Sequence, residues 1–250
     1  MSFLSIRSLL AALSAALLVS SAQADDWSVH LAADLERGKS PDRLGIQGAR
    51  AKVGVGALVP QISVRNDFWG SFNIGYGYGI EPDWEAELGP VRARGDLTSE
   101  VFKLKYQRKF TLSDRFDVAL FAEHRDYELE GTPEGTFNST KREIDVDSKV
   151  KLDELGLKLF WHQSDALSLF IGASYLEWSV DSTAYLESSD GRISASIELR
   201  GDNETPQAHL GAAFDVYDVP VTVELRYAEL KEEKSTFIPE LRISADLYKF

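Results

Sequence analysis

The feature that most constrains this chain is a period-two alternation of apolar and polar residues over most of its length. Phe68, Phe72, Ile74, Tyr76, Tyr78 and Ile80 fall on one face, and Trp69, Ser71, Asn73, Gly75, Gly77 and Gly79 on the other. From Val221 to Tyr227 the split is cleaner: Val221, Val223, Leu225 and Tyr227 alternate with Thr222, Glu224 and Arg226. Similar alternation runs through 155–161, 167–175 and 208–216. Successive side chains of a strand point to opposite faces, so this pattern specifies two-faced strands. A helix needs apolar residues three and four apart, and no long segment has them. The reading is all-β.

The connections carry a second regularity. Short breaks at 65–67, 112–115, 163–165 and 218–220 alternate with long polar stretches near 36–50, 81–98, 130–151, 181–206 and 231–239. Bacterial outer-membrane barrels have this asymmetry, with tight turns at one end and longer external loops at the other. Candidate strands of 10 to 14 residues exceed the roughly 5–6 usual in globular sheets and meet the roughly 9–11 that a tilted membrane-spanning strand needs. The pattern predicts an antiparallel up-and-down transmembrane β-barrel of about ten strands. Gly54, Gly56 and Pro60 interrupt the segment 51–64, which leaves an eight-strand count open. Trp27, Phe68, Phe110, Phe116, Trp161, Tyr217, Tyr248 and Phe250 cluster beside termini or short turns, and Trp84, Tyr127 and Trp178 lie toward the long stretches. Two such groups suit the aromatic belts of the two membrane interfaces.

The N-terminus supplies the compartment. Arg7 precedes a short apolar run from Leu9 to Val19, and Ala22-Gln23-Ala24 gives a small-x-small cleavage pattern before Asp25-Asp26. This describes a secretory signal peptide over 1–24, followed by one barrel domain over 25–250. The apolar run is shorter than the roughly 20 residues of a spanning helix. The chain has no cysteine, so neither a lipoprotein anchor nor a disulfide framework is available. A formal charge of −13 opposes binding to nucleic acid, whose phosphates would be repelled.

The last strand ends Tyr248-Lys249-Phe250. A terminal Phe with Tyr two residues before it resembles the assembly signal of Gram-negative outer-membrane β-barrel proteins. The resemblance implies outer-membrane localisation and recognition by the barrel-assembly machinery, with membrane lipid and lipopolysaccharide as surroundings. Continuing the Tyr248 face backward meets Asp246, Ser244 and Arg242, so a bulge would have to switch the face near the end.

With the apolar face turned to lipid, the polar face fills the lumen. It offers His30, Asp34, Lys103, Lys105, Asp117, Glu123, Arg125, Glu154, Lys158, His209, Asp215, Glu224, Arg226 and Arg242. Both signs are present, so cross-strand pairing into a neutral network is expected, and a narrow solute path is the functional alternative. No cofactor or metal is implied: four histidines and no cysteine show no ligand spacing. Ser174 and His209 fall on neighbouring inward faces, but no third partner for a nucleophile is evident, and an enzyme is not expected. Glu81, Asp83, Glu85 and Glu87, like Asp181, Glu187, Asp190, Asp202 and Glu204, read as solvated surface near lipopolysaccharide. A structural, adhesive or narrow-channel role in the outer membrane fits best. A periplasmic lipocalin-like binder and a lipid-modifying enzyme are the alternatives. If the signal peptide is read correctly, the intact mass of the exported protein will correspond to a chain beginning at Asp25.

Overall fold

A computed structural model describes residues 27–39, 49–79, 83–88, 91–137, 140–187, 193–229 and 237–249. Residues 1–24, Glu81, Asp190 and Phe250 lie outside the described residues. Thirteen strands are present among those described: β1 (Ser28–Lys39), β2 (Ala49–Asn66), β3 (Gly70–Gly79), β4 (Asp83–Leu88), β5 (Val91–Asp96), β6 (Thr98–Ser113), β7 (Phe116–Gly131), β8 (Glu134–Phe137), β9 (Thr140–Ser164), β10 (Leu167–Glu187), β11 (Ile193–Val216), β12 (Val219–Glu229) and β13 (Phe237–Lys249). Ten of them form a closed antiparallel barrel in the order β1-β2-β3-β6-β7-β9-β10-β11-β12-β13, and β13 pairs back onto β1. Closure leaves no free edge along the lipid-facing wall, and hydrocarbon tolerates no unpaired backbone groups there. The interrupted segment 51–64 is a full barrel strand, so the count is ten.

The tight turns fall where the sequence breaks. Tyr217 and Asp218 both take positive φ, at 49° and 65°, as a two-residue hairpin turn matched to strand twist requires. Asn66 Oδ1 accepts hydrogen bonds from the backbone amides of Phe68 and Trp69, both at 2.9 Å. Gly70 then turns the chain with φ of 90°, and a Cβ there would collide with the carbonyl of Gln107.

The outer wall carries the apolar face. Ile171 is 58% exposed and Leu210 is 59% exposed, although both lie mid-strand. They pair with each other, with Leu159 and with Leu225. Ile62 opposite Ile74, and Leu120 opposite Leu157, continue the belt. Below it, Phe68, Phe110, Phe116 and Trp161 are exposed at the short-turn end, with Arg108 stacked 5.0 Å and 4.9 Å from the Phe68 and Phe110 ring centres. Above it, the hydroxyls of Tyr76 and Tyr175 donate to Glu100 and Glu204. Rings in the apolar belt and hydroxyls on outward carboxylates mark a membrane interface. Tyr127 does not join this belt. Its side chain is buried inside the barrel, because it shares the inward parity of Glu123 and Arg125.

The long polar stretches are not mainly loops. Those read at 130–151 and 181–206 are largely strand, since β9, β10 and β11 run 25, 21 and 24 residues. The 81–98 stretch folds as the β4–β5 hairpin, which joins β2 to β8 and, through β8, to β9. Polar alternation on both faces looks like loop in a sequence, but strands raised above the bilayer need no apolar outer face. The barrel wall thus extends well past the belt on the side of β7 to β11.

Near the C-terminus the β1–β13 register slips: Leu31 faces Tyr248 while Ala32 faces Asp246, and Leu247 is the extra residue. This irregularity reconciles the terminal motif with the strand before it. Above the slip Arg242 is buried, while below it Leu31, opposite Tyr248, faces outward.

The belt makes one residue a clear test of this arrangement. Ile171→Lys puts a charge on the lipid face near mid-depth, which costs about 2–4 kcal/mol in such barrels. Asp181→Lys, ten residues further up the same outer face, should change stability by less than about 0.5 kcal/mol. Urea unfolding of the protein refolded into lipid vesicles measures both.

Candidate functional site

Strand alternation that presents leucine and isoleucine to lipid must turn the intervening residues into a narrow tube. On β1 these are His30, Asp34 and Glu36; on β6, Lys103 and Lys105; on β7, Glu123, Arg125 and Tyr127; on β9, Glu154 and Lys158. On β10 to β13 they are Ser174, Gln207, His209, Glu224, Arg226 and Arg242. Charges of both signs cannot be taken out of water singly, so the layer holds together only by pairing.

The pairs cross the lumen rather than run along the wall. Arg242 of β13 grips Glu123 of β7 with two prongs, Nη1 to Oε2 at 2.7 Å and Nη2 to Oε1 at 2.8 Å. These strands are five places apart in a ring of ten, so the pair spans the full diameter. Arg242 Nε also lies 3.2 Å from Glu36. Lys103 inserts between Asp34 and Glu36, with Glu123 3.7 Å away. Arg125 bridges Glu36 at 3.3 Å, Glu123 at 3.0 Å and Glu154 at 3.5 Å. Arg226 contacts Glu154 at 2.5 Å and Glu224 at 3.2 Å, and Lys158 donates to Glu224 at 2.7 Å. The Tyr127 hydroxyl donates to Glu36 at 3.2 Å. Five carboxylates (Asp34, Glu36, Glu123, Glu154, Glu224) meet five cations (Lys103, Arg125, Lys158, Arg226, Arg242).

This layer is dry and filled. Lys103 is 0% exposed and Arg226 1%, values unreachable beside a continuous water column. Below it, Phe160 and Phe170 stack with ring centres 5.0 Å apart, and the Lys158 ammonium lies 4.9 Å and 5.1 Å from the Phe121 and Phe170 rings. Above it, toward β2, β6, β7 and β9, sits an apolar cluster of Val59, Leu97, Val101, Leu129, Ile144 and Val146. Near the short-turn end a smaller polar group occupies the tube, with His30 3.2 Å and Arg65 2.6 Å from Asp246, and His162 3.0 Å from Asp117.

The structure thus gathers Asp34, Lys103, Glu123, Arg125, Lys158, His209, Glu224 and Arg226 in one cluster, with His30 closer to the short-turn end. Lys105 shares their inward parity but is only half-buried. Asp215 does not belong with them. It is exposed one residue from the end of β11, where the strand leaves the tube, so alternation still counts it inward but nothing encloses it. Glu36 is the functional neighbour that sequence reading missed, because it was assigned to a loop beginning at 36. The i, i+2 parity with Asp34 was the signal that could have found it. The third partner of Ser174 and His209 was missed for a different reason. Glu224 lies on the next strand and only the register brings it there. His209 Nδ1 lies 2.5 Å from Glu224 Oε1, and Ser174 Oγ lies 2.7 Å from His209 Nε2.

Against known proteins, no family model matches the chain, and no curated protein matches it by sequence. Among solved structures it is similar to the outer membrane protease OmpT from Escherichia coli, with a TM-score of 0.55 at 11% identity over 88% of this chain and 94% of that one. It also aligns with the toluene transporter TodX from Pseudomonas putida (TM-score 0.45, 14% identity, 93% and 71% coverage). A third is the beta domain of the Bordetella autotransporter BrkA (TM-score 0.45, 9% identity, 88% and 98% coverage). The likeness is one of fold: this chain has the fold of the Gram-negative outer-membrane β-barrels.

The lumen-spanning pair gives a direct test. Arg242→Met takes the two-pronged partner from buried Glu123 and a cation from Glu36, and breaking a buried pair from one side costs about 3–5 kcal/mol. The double variant Arg242→Met/Glu123→Gln should recover at least half of that loss in the same urea-unfolding measurement.

Proposed function

We propose that this protein is a closed outer-membrane barrel acting as a structural or adhesive element through its raised external wall, and not as a channel. The observation that carries this reading is the layer of buried, mutually paired charges across the lumen. An open pore keeps its charged lining wet, whereas here Lys103, Glu154, Arg226 and Arg242 are almost fully enclosed. A soluble lipocalin-like binder would bury an apolar pocket and expose a polar wall, and the exposed Ile171, Leu210 and Leu225 oppose that.

The reading extends to biogenesis. The segment 1–24 directs export and is removed, and the terminal Tyr248 and Phe250 are presented to the barrel-assembly machinery. The short turns then face the periplasm and the long strands face outward. Above the belt the outer wall is acidic, with Glu100, Glu128, Glu130, Asp153, Glu177 and Glu204 directed outward. Lys149 pairs with Glu128 at 2.9 Å, and this contact raises the lysine's pKa from its ordinary value. A collar of this sign stands opposite the lipopolysaccharide phosphates, which divalent cations would have to bridge.

The test is conductance. The refolded protein in a planar lipid bilayer should show no unitary current steps, and stable wild-type steps would overturn the closed-barrel reading. Glu123→Ala/Arg242→Ala, which removes the lumen-spanning pair, should introduce small steps if the same layer is the seal.

A further inference from the structure

We propose that Ser174 is an activated nucleophile, with His209 as its general base and Glu224 as the residue that positions the base, in a site that takes carboxylic esters from the external side of the lumen. The three residues stand on the consecutive strands β10, β11 and β12. His209 pairs with Gly172 on one side and Arg226 on the other, so Ser174 and Glu224 each lie one step diagonally from it. The polarity is that of a serine-hydrolase relay, with the hydroxyl on Nε2 and the carboxylate on Nδ1.

The chemistry uses the tautomer in which the ring proton sits on Nδ1 and is donated to Glu224, so that Nε2 accepts from the Ser174 hydroxyl. Glu154 Oε1 also lies 3.3 Å from Nε2, so the ring stands between two carboxylates with the serine hydroxyl beside it. Gln207, paired with Ser174 across the β10–β11 ladder, has Oε1 3.4 Å from Ser174 Oγ. Gly156 lies opposite Ser174 on β9, where a Cβ would come within 2.5 Å of the serine Cβ and 2.7 Å of Phe121. Only glycine leaves the hydroxyl its place.

The site lies where the sealed layer gives way to solvent. Below Ser174 on the inward face of β10, Phe170 is enclosed; above it Leu176 is buried and Trp178 and Val180 are half-buried, with Thr205 of β11 and Ala228 of β12 buried beside them, so a substrate enters by displacing a thin cover of small and apolar side chains. Leu176, Trp178 and Leu152 line the approach with apolar surface suited to an acyl chain.

The reaction balances with water as the only co-reactant. Ser174 Oγ forms a bond to the ester carbonyl carbon as its proton passes to His209 Nε2. The C–O bond to the alcohol breaks, and the alcohol leaves with that proton. Water then repeats the route, its oxygen bonding to the acyl carbon as the Ser174 C–O bond breaks. The products are acid, alcohol and the free serine.

The experiment uses detergent-folded full-length protein whose closure is verified by a heat-dependent gel shift. A short-chain alkyl fluorophosphonate should form one covalent adduct, located on Ser174 by peptide mass analysis. Labelling should vanish in Ser174→Ala and fall more than about 100-fold in rate in His209→Gln, within the range for a lost general base. Hydrolysis of 4-nitrophenyl butyrate should follow the same order. Glu224→Gln should lower that rate without removing the adduct, a split that a purely structural carboxylate would not give. Should His209→Gln fail the gel-shift check, Ser174→Cys provides the second reading. Its thiol should react with iodoacetamide at least 10-fold faster than the same thiol in heat-unfolded protein. A folded wild-type barrel that takes no adduct, takes it elsewhere, or labels equally as Ser174→Ala overturns the proposal.

Discussion

A chain that crosses hydrocarbon as strands must pair every backbone amide and carbonyl within itself, and the other features of this molecule follow from that requirement. Pairing of β13 with β1 closes the sheet. Ten strands then enclose a tube that side chains can largely fill. Alternation sends half of each strand into that tube, and because the other half must be apolar for lipid, the inward half is where charge accumulates. Burial is tolerable only with partners, so arginine and lysine reach across the bore to carboxylates on distant strands. The Arg242–Glu123 pair joins strands that the chain brings near by closure alone, across 119 residues of sequence. Backbone closure and the cross-lumen pairing of Arg242 with Glu123 are therefore one event, while Glu123 already has Arg125 beside it on its own strand.

A network so dense is a poor source of net stability and a good source of specificity. Replacing such pairs with well-packed apolar residues is often neutral or stabilising. An apolar interior would, however, make both faces of each strand alike. A one-residue register slip would then go unpunished, whereas here a slip of β1, β7, β9 or β12 would turn two buried charges of that strand to lipid. We regard the charged interior as the device that fixes register, a hypothesis that the recovery expected of the double variant at 123 and 242 bears on directly.

Fold and much of the interior were legible in the sequence because both depend on parity, which a single chain displays. Ten strands, the tight turns and the inward set from Asp34 to Arg226 all follow from counting by two. What parity cannot show is height. Asp215 has the inward parity but lies beyond the enclosed part of its strand, and Tyr127 was placed by its distance from a turn when its face decides its surroundings. The stretches 130–151 and 181–206 read as loops because their strands stand above the bilayer, where neither face need be apolar. Register between strands is equally invisible from one sequence. Glu224 became a neighbour of His209 only through the pairing of β11 with β12. Leu247 had to be found as an extra residue before Tyr248 and Arg242 could belong to one strand.

Height also organises what the molecule offers to its surroundings. Among the described residues, β9, β10 and β11 rise far above the belt. On the high side the lumen is capped by an apolar cluster centred on Val101, Leu129 and Val146. On β10 the inward residue directly above Ser174, Leu176, is buried, and Trp178 beyond it is half-buried. The Ser174–His209–Glu224 relay therefore lies on the external side of the charged layer under a thin apolar cover. A closed lumen and a reactive serine are compatible in the same barrel because the layer that blocks passage is the floor of the site.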